Sequence, residues 1–239
     1  MNFIDRTSLG DALALHLQQF HGKDAIILCL QEDSLLTCLT VASQIRAWLY
    51  PLIYEPVYSS DHAQRLLGAY DQDGEFCPLP DPHAPAKTTL DGLQDSDGQQ
   101  KTATTDSELA DSDAKAIKKQ KTAAMKAINR QLSSYGITLD KRQMDGRDII
   151  LAADVLTDVL PLAVAQKLLK EVRPRSLTAV AGNATPEAAH MLRMSAGTTE
   201  IMDVLSGITY DHRRYFEHED SYTPEQKYTL TQHIAAYWQ

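Results

Sequence analysis

The sequence predicts an α/β fold with a mostly parallel central sheet flanked by helices, and three observations predict it. Two short apolar runs, Ala25 to Leu30 and Ile149 to Ala153, lack the strict alternation of a half-exposed strand and have the pattern of strands covered on both faces. Each is followed, after a short turn, by apolar residues at helical spacing. Strands and helices then alternate toward the end of the chain, which implies right-handed crossovers and parallel pairing. The 239 residues, 43% of them hydrophobic, suffice for one substantial core but not clearly for two, so a single domain over 1–239 is expected.

Taken in order, the first helix is expected from Thr7 or Ser8, with Leu9, Leu13, Leu17 and Phe20 on one face and Gly22 as its end. After the strand Ala25 to Leu30 comes the turn Gln31-Glu32-Asp33-Ser34, in which Asp33 or Ser34 caps the next helix. Leu35, Leu39, Ala42, Ile45 and Leu49 are the core stripe of that helix. Pro51 to Tyr58 reads as the second strand, its prolines placing it at strand ends or a sheet edge. Gly68 to Phe76, with the turn Gln72-Asp73-Gly74, predicts a short hairpin.

Residues 79–111 combine Pro80, Pro82 and Pro85 with an acidic Ser/Thr/Gln stretch too poor in large apolar side chains to build a core, so a flexible acidic insertion is expected. A long basic helix follows over 112–136, its onset reaching back to Thr105, which forms a capping-box pattern with Glu108. Ile117, Met125, Ile128, Leu132 and Tyr135 supply its apolar stripe, and Gly136 stops it. Lys115, Lys118, Lys119, Lys121, Lys126 and Arg130 read as its solvated face, with a nucleic-acid or other anion surface as the alternative.

The strand Ile149 to Ala153 is expected to end at Asp154. Thr157 or Asp158 then caps a helix with Val159, Leu160, Ala163, Val164, Leu168 and Leu169 as its stripe and Pro161 in its first turn, where the missing N–H is harmless. A strand over Leu177 to Ala181, a helix over Pro186 to Met194 and a last strand over Glu200 to Leu205 follow. Residues 209–239 form a C-terminal tail and helix, the helix capped by Thr223 with Leu230, Ile234 and Trp238 as its stripe. The aromatic and arginine residues of the tail suit docking on the domain or on a second subunit. The spacing of His212, His218 and Asp220 matches no structural zinc pattern, and no metal site is expected there.

The net charge is −9, and residues 87–114 carry Asp91, Asp95, Asp97, Asp106, Glu108, Asp111 and Asp113 against Lys87 and Lys101. Neither that segment nor the remainder has the basic balance of a duplex-binding surface, so nucleic acid is not an expected partner. Cys29 falls in a strand, Cys38 in a helix and Cys77 in a loop; without CxxC spacing they read as buried thiols. No signal-peptide pattern opens the chain and no apolar run approaches the ~20 residues of a membrane helix, so a cytoplasmic protein without a membrane partner is expected.

In open α/β sheets ligands sit beyond the carboxyl ends of the strands, where helix N-termini offer free N–H groups to an anion. The two turns after the buried strands are therefore the candidate phosphate cradles. Both are ill-suited to one. Glu32 and Asp33 put two carboxylates into the first, and like charges at ~4 Å repel by ~4 kcal/mol at an effective dielectric of ~20. Val155 and Val159, being β-branched, disfavour the positive φ by which a backbone wraps a phosphate.

The stretch IILAADVLTDVLP over 149–161 resembles the donor-binding motif of the type I phosphoribosyltransferases: an apolar strand, two acids, a small flexible stretch, then Thr-Gly and another hydroxyl residue. FIDRTSLGDALALHL, DAIILCLQEDS, LYPLIYEPVY, LLGAYDQDGEF and GITYDHRRYFEHEDSYTPEQ are, in their order and spacing, similar to a bacterial branch of phosphoribosyltransferase-like proteins. The resemblance covers most of the chain except roughly residues 85–112. It implies a phosphoribosyltransferase-like fold in which the acids hold ribose hydroxyls and the loop wraps the 5-phosphate of phosphoribosyl pyrophosphate. It further implies that Gln31, Glu32, Asp33 and Ser34 form the pyrophosphate turn, and that the hairpin region belongs to a flexible arm. Gly182, Asn183 and Thr185 would be the polar candidates near a nucleobase, a plain helix-entry turn being the alternative.

On the donor motif Ala153 stands at the first acid and Asp154 keeps the second. Val155 stands at a glycine, Asp158 at the threonine, Val159 at the next glycine and Pro161 at the last hydroxyl residue, with Thr157 between. The expectation is a phosphoribosyltransferase-like protein that has lost donor-dependent catalysis and acts as a regulatory or interaction subunit, as a homodimer or with another protein. The alternatives are an active transferase that uses Asp154 for ribose and backbone amides for phosphate on a purine or pyrimidine base, and a nucleotide or nucleoside sensor. No catalytic residue is assigned and no cofactor is certain; magnesium bridging Glu32 or Asp33 to pyrophosphate enters only if the chain is active.

Overall fold

The computed structural model describes residues 3–60, 64–79, 103–136, 141–205, 215–217 and 229, and within 103–110 the backbone alone. Most of the acidic insertion, most of the 209–239 tail, and His212, His218 and Asp220 lie outside the described residues.

Five strands form an all-parallel sheet: β1 (Ala25–Cys29), β2 (Trp48–Pro51), β6 (Asp148–Leu156), β7 (Ser176–Ala184) and β8 (Thr198–Val204), in the order β2-β1-β6-β7-β8. The α/β class with helices flanking a parallel sheet is the class read from the sequence. A second sheet is antiparallel, β3 (Tyr54–Tyr58), β4 (Leu66–Asp71) and β5 (Phe76–Pro78), in the order β3-β4-β5. The helices are α1 (Arg6–His16), α2 (Leu35–Ile45), α3 (Ala103–Tyr135), α4 (Leu160–Leu169) and α5 (Pro186–Ser195).

Several boundaries differ from those expected. The N-cap of α1 is Asp5, whose carboxylate accepts from the Ser8 N–H at 2.7 Å while the Ser8 hydroxyl is reached by the Asp5 N–H at 3.1 Å, a reciprocal box that fixes the start before Thr7. Leu49 belongs to β2, because α2 ends after Ile45 with Arg46 in the left-handed conformation at φ 57°. The single strand expected over Pro51 to Tyr58 is two. β2 ends at Pro51 beside β1, and the chain crosses to the second sheet at Tyr54. Cys77, expected in a loop, is in β5, and all three cysteines are free and buried.

The helix expected over 112–136 spans Ala103–Tyr135, so Thr105 lies inside it rather than at its cap; Gly136, at φ 62°, follows its end. Ile128 and Tyr135 are buried, Ile117, Met125 and Leu132 pack against the core, and the six basic residues are exposed, as a solvated face requires. The Lys115 ammonium meets Asp111 at 2.7 Å one turn away.

The most consequential correction concerns β6. It does not stop at Asp154 but runs nine residues to Leu156, every one buried. Val155 and Leu156 pair with Asn183 and Ala184 of β7, which is likewise longer than the Leu177 to Ala181 expected. Apolar residues on both sides of Asp154 let the ladder continue through it, because the sheet is covered on both faces there.

Close packing brings α1 over this part of the sheet. A Cβ at Gly10 would sit 2.6 Å from Thr40 Cβ on α2, and one at Gly182 would sit 2.6 Å from Leu9 Cδ2 and 2.7 Å from the Asp154 carbonyl oxygen. Only glycine at these two positions allows α1 to press on α2 and β7 at this distance. The N-terminal end of α1 is thereby carried to the carboxyl end of β6.

Candidate functional site

At the carboxyl edge of the parallel sheet the turns after β1, β2 and β6 open side by side, the place where α/β folds hold ligands. The turn after β1 is one turn of 3-10 helix over Glu32–Ser34, with Glu32 and Asp33 exposed and Ser34 buried. The turn after β6 is reduced to Thr157, Asp158 and Val159, because Val155 and Leu156 are strand.

Asp154 is 1% exposed and its carboxylate is held from three directions. Arg6 Nε donates to Oδ2 at 2.9 Å, while Ser34 Oγ and the Val155 N–H each donate to Oδ1 at 2.6 Å. Ser34 Oγ in turn accepts from the Asp154 N–H at 3.0 Å. Ser34 thus stands at the start of α2 without making a side-chain cap, and the sequence expectation that it caps the helix is corrected: a buried carboxylate is the stronger acceptor for its hydroxyl. Arg6 is itself 8% exposed, with its guanidinium 4.9 Å from the centre of the Phe216 ring. Phe3 pairs with Phe216, and its backbone bonds Tyr215 and Glu217, so the N-terminal segment carries a short C-terminal piece over Arg6.

The retained acid of the expected ribose site therefore joins α1, the first turn and β6 in the interior. Arg6 was not among the residues singled out from sequence, since a lone arginine at the start of an amphipathic helix has no local signal. Ala153 and Val155 are fully buried and Pro161 is buried in the first turn of α4. Asp158 is exposed, and its carboxylate accepts from the Leu160 N–H at 2.9 Å, so it does occupy an amide at the helix entry, although the N-cap residue is Val159. Thr157 and Val159 are partly exposed.

Of the residues expected near a nucleobase, Gly182 and Asn183 are strand residues of β7, and Thr185 caps α5 by accepting from the Ala188 N–H at 3.1 Å. The Asn183 amide is fully buried without a hydrogen-bond partner among the described residues.

Two tyrosines complete the edge: Tyr54, which sequence reasoning did not single out, and Tyr135, which it placed only in the apolar stripe of the long helix. Burial pushes the Tyr54 hydroxyl well above its ordinary pKa, and Asp158 and, more weakly, Asp33 push it the same way. Tyr135 is raised by burial and by Glu32. Burial is the larger cause at both tyrosines, and the neighbouring acids add to it. A cavity of about 250 Å³ lies beside them, lined by Glu32, the chain from Pro51 to Pro56, Gln131 and Tyr135. No cluster of three or more metal-ligating side chains occurs among the described residues, and no helix among them is long and apolar enough to cross a membrane.

The antiparallel sheet is fastened to α3 and α4. Lys167 on α4 reaches Asp71 at 2.9 Å, Glu75 at 3.2 Å and the Phe76 carbonyl at 3.3 Å. From α3, the Ile117 carbonyl accepts from the Tyr70 hydroxyl at 2.9 Å, and the Gln120 amide donates to the Tyr58 carbonyl at 2.6 Å. The hairpin expected over Gly68 to Phe76 is β4 and β5, held by Lys167, by the Tyr70 hydroxyl on Ile117 and by Lys141, which meets Asp73 in the turn at 2.7 Å, while Gln120 holds β3.

No family model matches the chain, and no curated protein matches it. Among solved structures it is similar to TT1426 from Thermus thermophilus, with a TM-score of 0.67 at 16% identity over 98% of this chain and 99% of that one. A hypothetical protein from Neisseria gonorrhoeae with bound ppGpp aligns at TM-score 0.44 and 8% identity over 98% of this chain and 94% of that one. Adenine phosphoribosyltransferase from Leishmania donovani aligns at TM-score 0.42 and 10% identity over 91% of this chain and 71% of that one. The chain shares its fold with TT1426 over nearly its whole length.

Proposed function

We propose that this chain is a phosphoribosyltransferase-like protein that has lost donor-dependent catalysis and serves as a regulatory or interaction subunit, with itself or another protein as partner. One observation carries the reading. The single acid retained at the ribose position, Asp154, is buried and engaged by Arg6, Ser34 and the Val155 N–H. A ribose hydroxyl would have to displace a buried arginine to reach it, leaving an uncompensated buried charge at a cost of ~3–5 kcal/mol.

The flanking chemistry points the same way. Glu32 and Asp33 occupy the pyrophosphate turn, and the loop after β6 is three residues long with a carboxylate already on a helix-entry amide. A magnesium ion on Glu32 or Asp33 would offset part of the charge at the first turn, but it would leave Asp154 turned into the core. The active transferase that uses Asp154 for ribose is the weaker reading for that reason.

Thermal melting with phosphoribosyl pyrophosphate and magnesium tests the proposal. A ligand at one hundred times its dissociation constant raises stability by about 2.7 kcal/mol, an easily read shift. No shift is expected, and calorimetric titration should show no saturable heat. A saturable shift with magnesium and donor together overturns the proposal.

A further inference from the structure

The basic side chains of α3 are a charged feature that neither the parallel sheet nor the lost donor site uses. Six of the chain's 23 basic residues and none of its 32 acids fall within residues 114–135, so the rest of the chain has 17 basic residues against 32 acids. Lys115, Lys119, Lys126 and Arg130 recur at helical spacing on one face with Lys118 beside them, and all five are exposed. At ~3.6 residues per turn this face is roughly opposite Ala124 and Ile128, which are buried in the core. Lys115 pairs with Asp111, whereas Lys118, Lys119, Lys126 and Arg130 make no ion pair among the described residues. Lys121 lies off this row, its ammonium 5.8 Å from the centre of the Tyr70 ring.

A helix face that meets only water commonly interleaves the two signs, because like charges four residues apart disfavour the helix. Lys115 with Lys119 and Lys126 with Arg130 are two such pairs, and no acid follows Asp113 on the helix. An anionic occupant compensates both. The exposed residues interleaved with the row are Lys121, Thr122, Ala123 and Asn129. The row therefore has no large apolar side chain to enter a bilayer and no aromatic ring to stack on a base. From Lys115 to Arg130 it is about 22 Å long at ~1.5 Å per residue, the reach of about seven extended residues at ~3.3 Å each. Asp111 and Asp113 stand just beyond its N-terminal end, so a polyanion that continues along the helix is repelled there. A short acidic peptide segment fits within that limit, and a long nucleic acid runs past it.

We infer that the face of α3 bearing Lys115, Lys118, Lys119, Lys126 and Arg130 is the docking surface for a short acidic segment of a partner protein. The inference deepens the proposed role as an interaction subunit and rests on that reading for the partner's being a protein.

The test uses the full-length chain and fluorescein-labelled octaglutamate, with octaglutamine as the uncharged control, read by fluorescence anisotropy without phosphoribosyl pyrophosphate. Saturable binding of octaglutamate is expected, at least about tenfold tighter than that of octaglutamine and weakening as salt rises from about 50 to about 200 mM. The triple variant Lys119→Gln, Lys126→Gln, Arg130→Gln is expected to lose about tenfold or more in affinity. Lys23→Gln, Lys170→Gln, Arg193→Gln removes the same charge from exposed positions on other elements and should keep the affinity within about twofold. Far-UV circular dichroism establishes that both variants fold. Absence of saturable octaglutamate binding overturns the inference, as does an equal loss in the two folded variants. Tighter binding of octathymidylate assigns the face to nucleic acid, and self-association that the first variant abolishes, in place of peptide binding, assigns it to a second copy; either result overturns the inference. A donor-induced melting shift leaves the peptide titration unaffected, so the two readings fail separately.

Discussion

Arg6 Nε lies 2.9 Å from Asp154 Oδ2, joining the first turn of the first helix to the carboxyl end of the central strand across 148 residues of sequence. With side chains 10% and 2% exposed, the pair is shielded from water, and the interaction is that of a buried ion pair rather than a surface one.

Breaking this pair from one side should be far worse than removing it whole. Arg6→Met or Asp154→Leu alone should each lower unfolding stability by about 3–5 kcal/mol, because the remaining charge is stranded, whereas the double variant should recover most of that loss. Urea denaturation of the four proteins reads it as a thermodynamic cycle. If Asp154→Leu unfolded no more easily than the parent, Asp154 would be free for a ligand and the structural assignment would be wrong.

Ser34 is the second tie on the same carboxylate. Ser34→Ala removes both the donor to Asp154 Oδ1 and the acceptor for the Asp154 N–H, and should cost about 1.5–3 kcal/mol. A loss of only a few tenths, the size seen when an exposed helix cap is removed to glycine, would show that the hydroxyl faces solvent instead.

The tyrosines predict an alkaline limit. Below pH ~10, the ordinary tyrosine value, both hydroxyls are protonated in the folded and unfolded chains and contribute no pH dependence. Above it the unfolded chain releases protons that the folded chain retains at Tyr54 and Tyr135, so their contribution to stability is lost as pH rises. Between pH 10 and 11 the fall in unfolding free energy should be shallower in Tyr54→Phe than in the parent, by up to ~1.4 kcal/mol per pH unit. Identical slopes would mean that Tyr54 ionises normally.

Lys167 ties the antiparallel sheet to α4. Lys167→Met should raise amide hydrogen exchange in β4 and β5 while leaving β1 and β6 protected, with a global cost of about 1 kcal/mol or less because the ammonium is 23% exposed. Unchanged exchange in the hairpin would place its anchorage on the Tyr70 bond to α3 and on the Lys141–Asp73 pair.

Local pattern in the chain was enough for the class of fold, most of the described strands and helices, the stripe of the long helix and the acidity of the two turns. Apolar period and charge are properties of neighbouring residues, so they survive without coordinates. The end of β6 was not legible, because Asp154 reads as a strand stop and only a partner supplied by α1 makes it a buried strand residue. Nor could a serine that looks like a helix cap be recognised as a ligand of that same carboxylate. Arg6, Tyr54 and Tyr135 are dispersed over the first 135 residues and carry no motif; two closely packed glycines, a strand crossing and the far end of a long helix bring them to the sheet edge. Which carboxylate is paired in the core depends on burial and on distances between residues remote in sequence, and tertiary packing alone sets those.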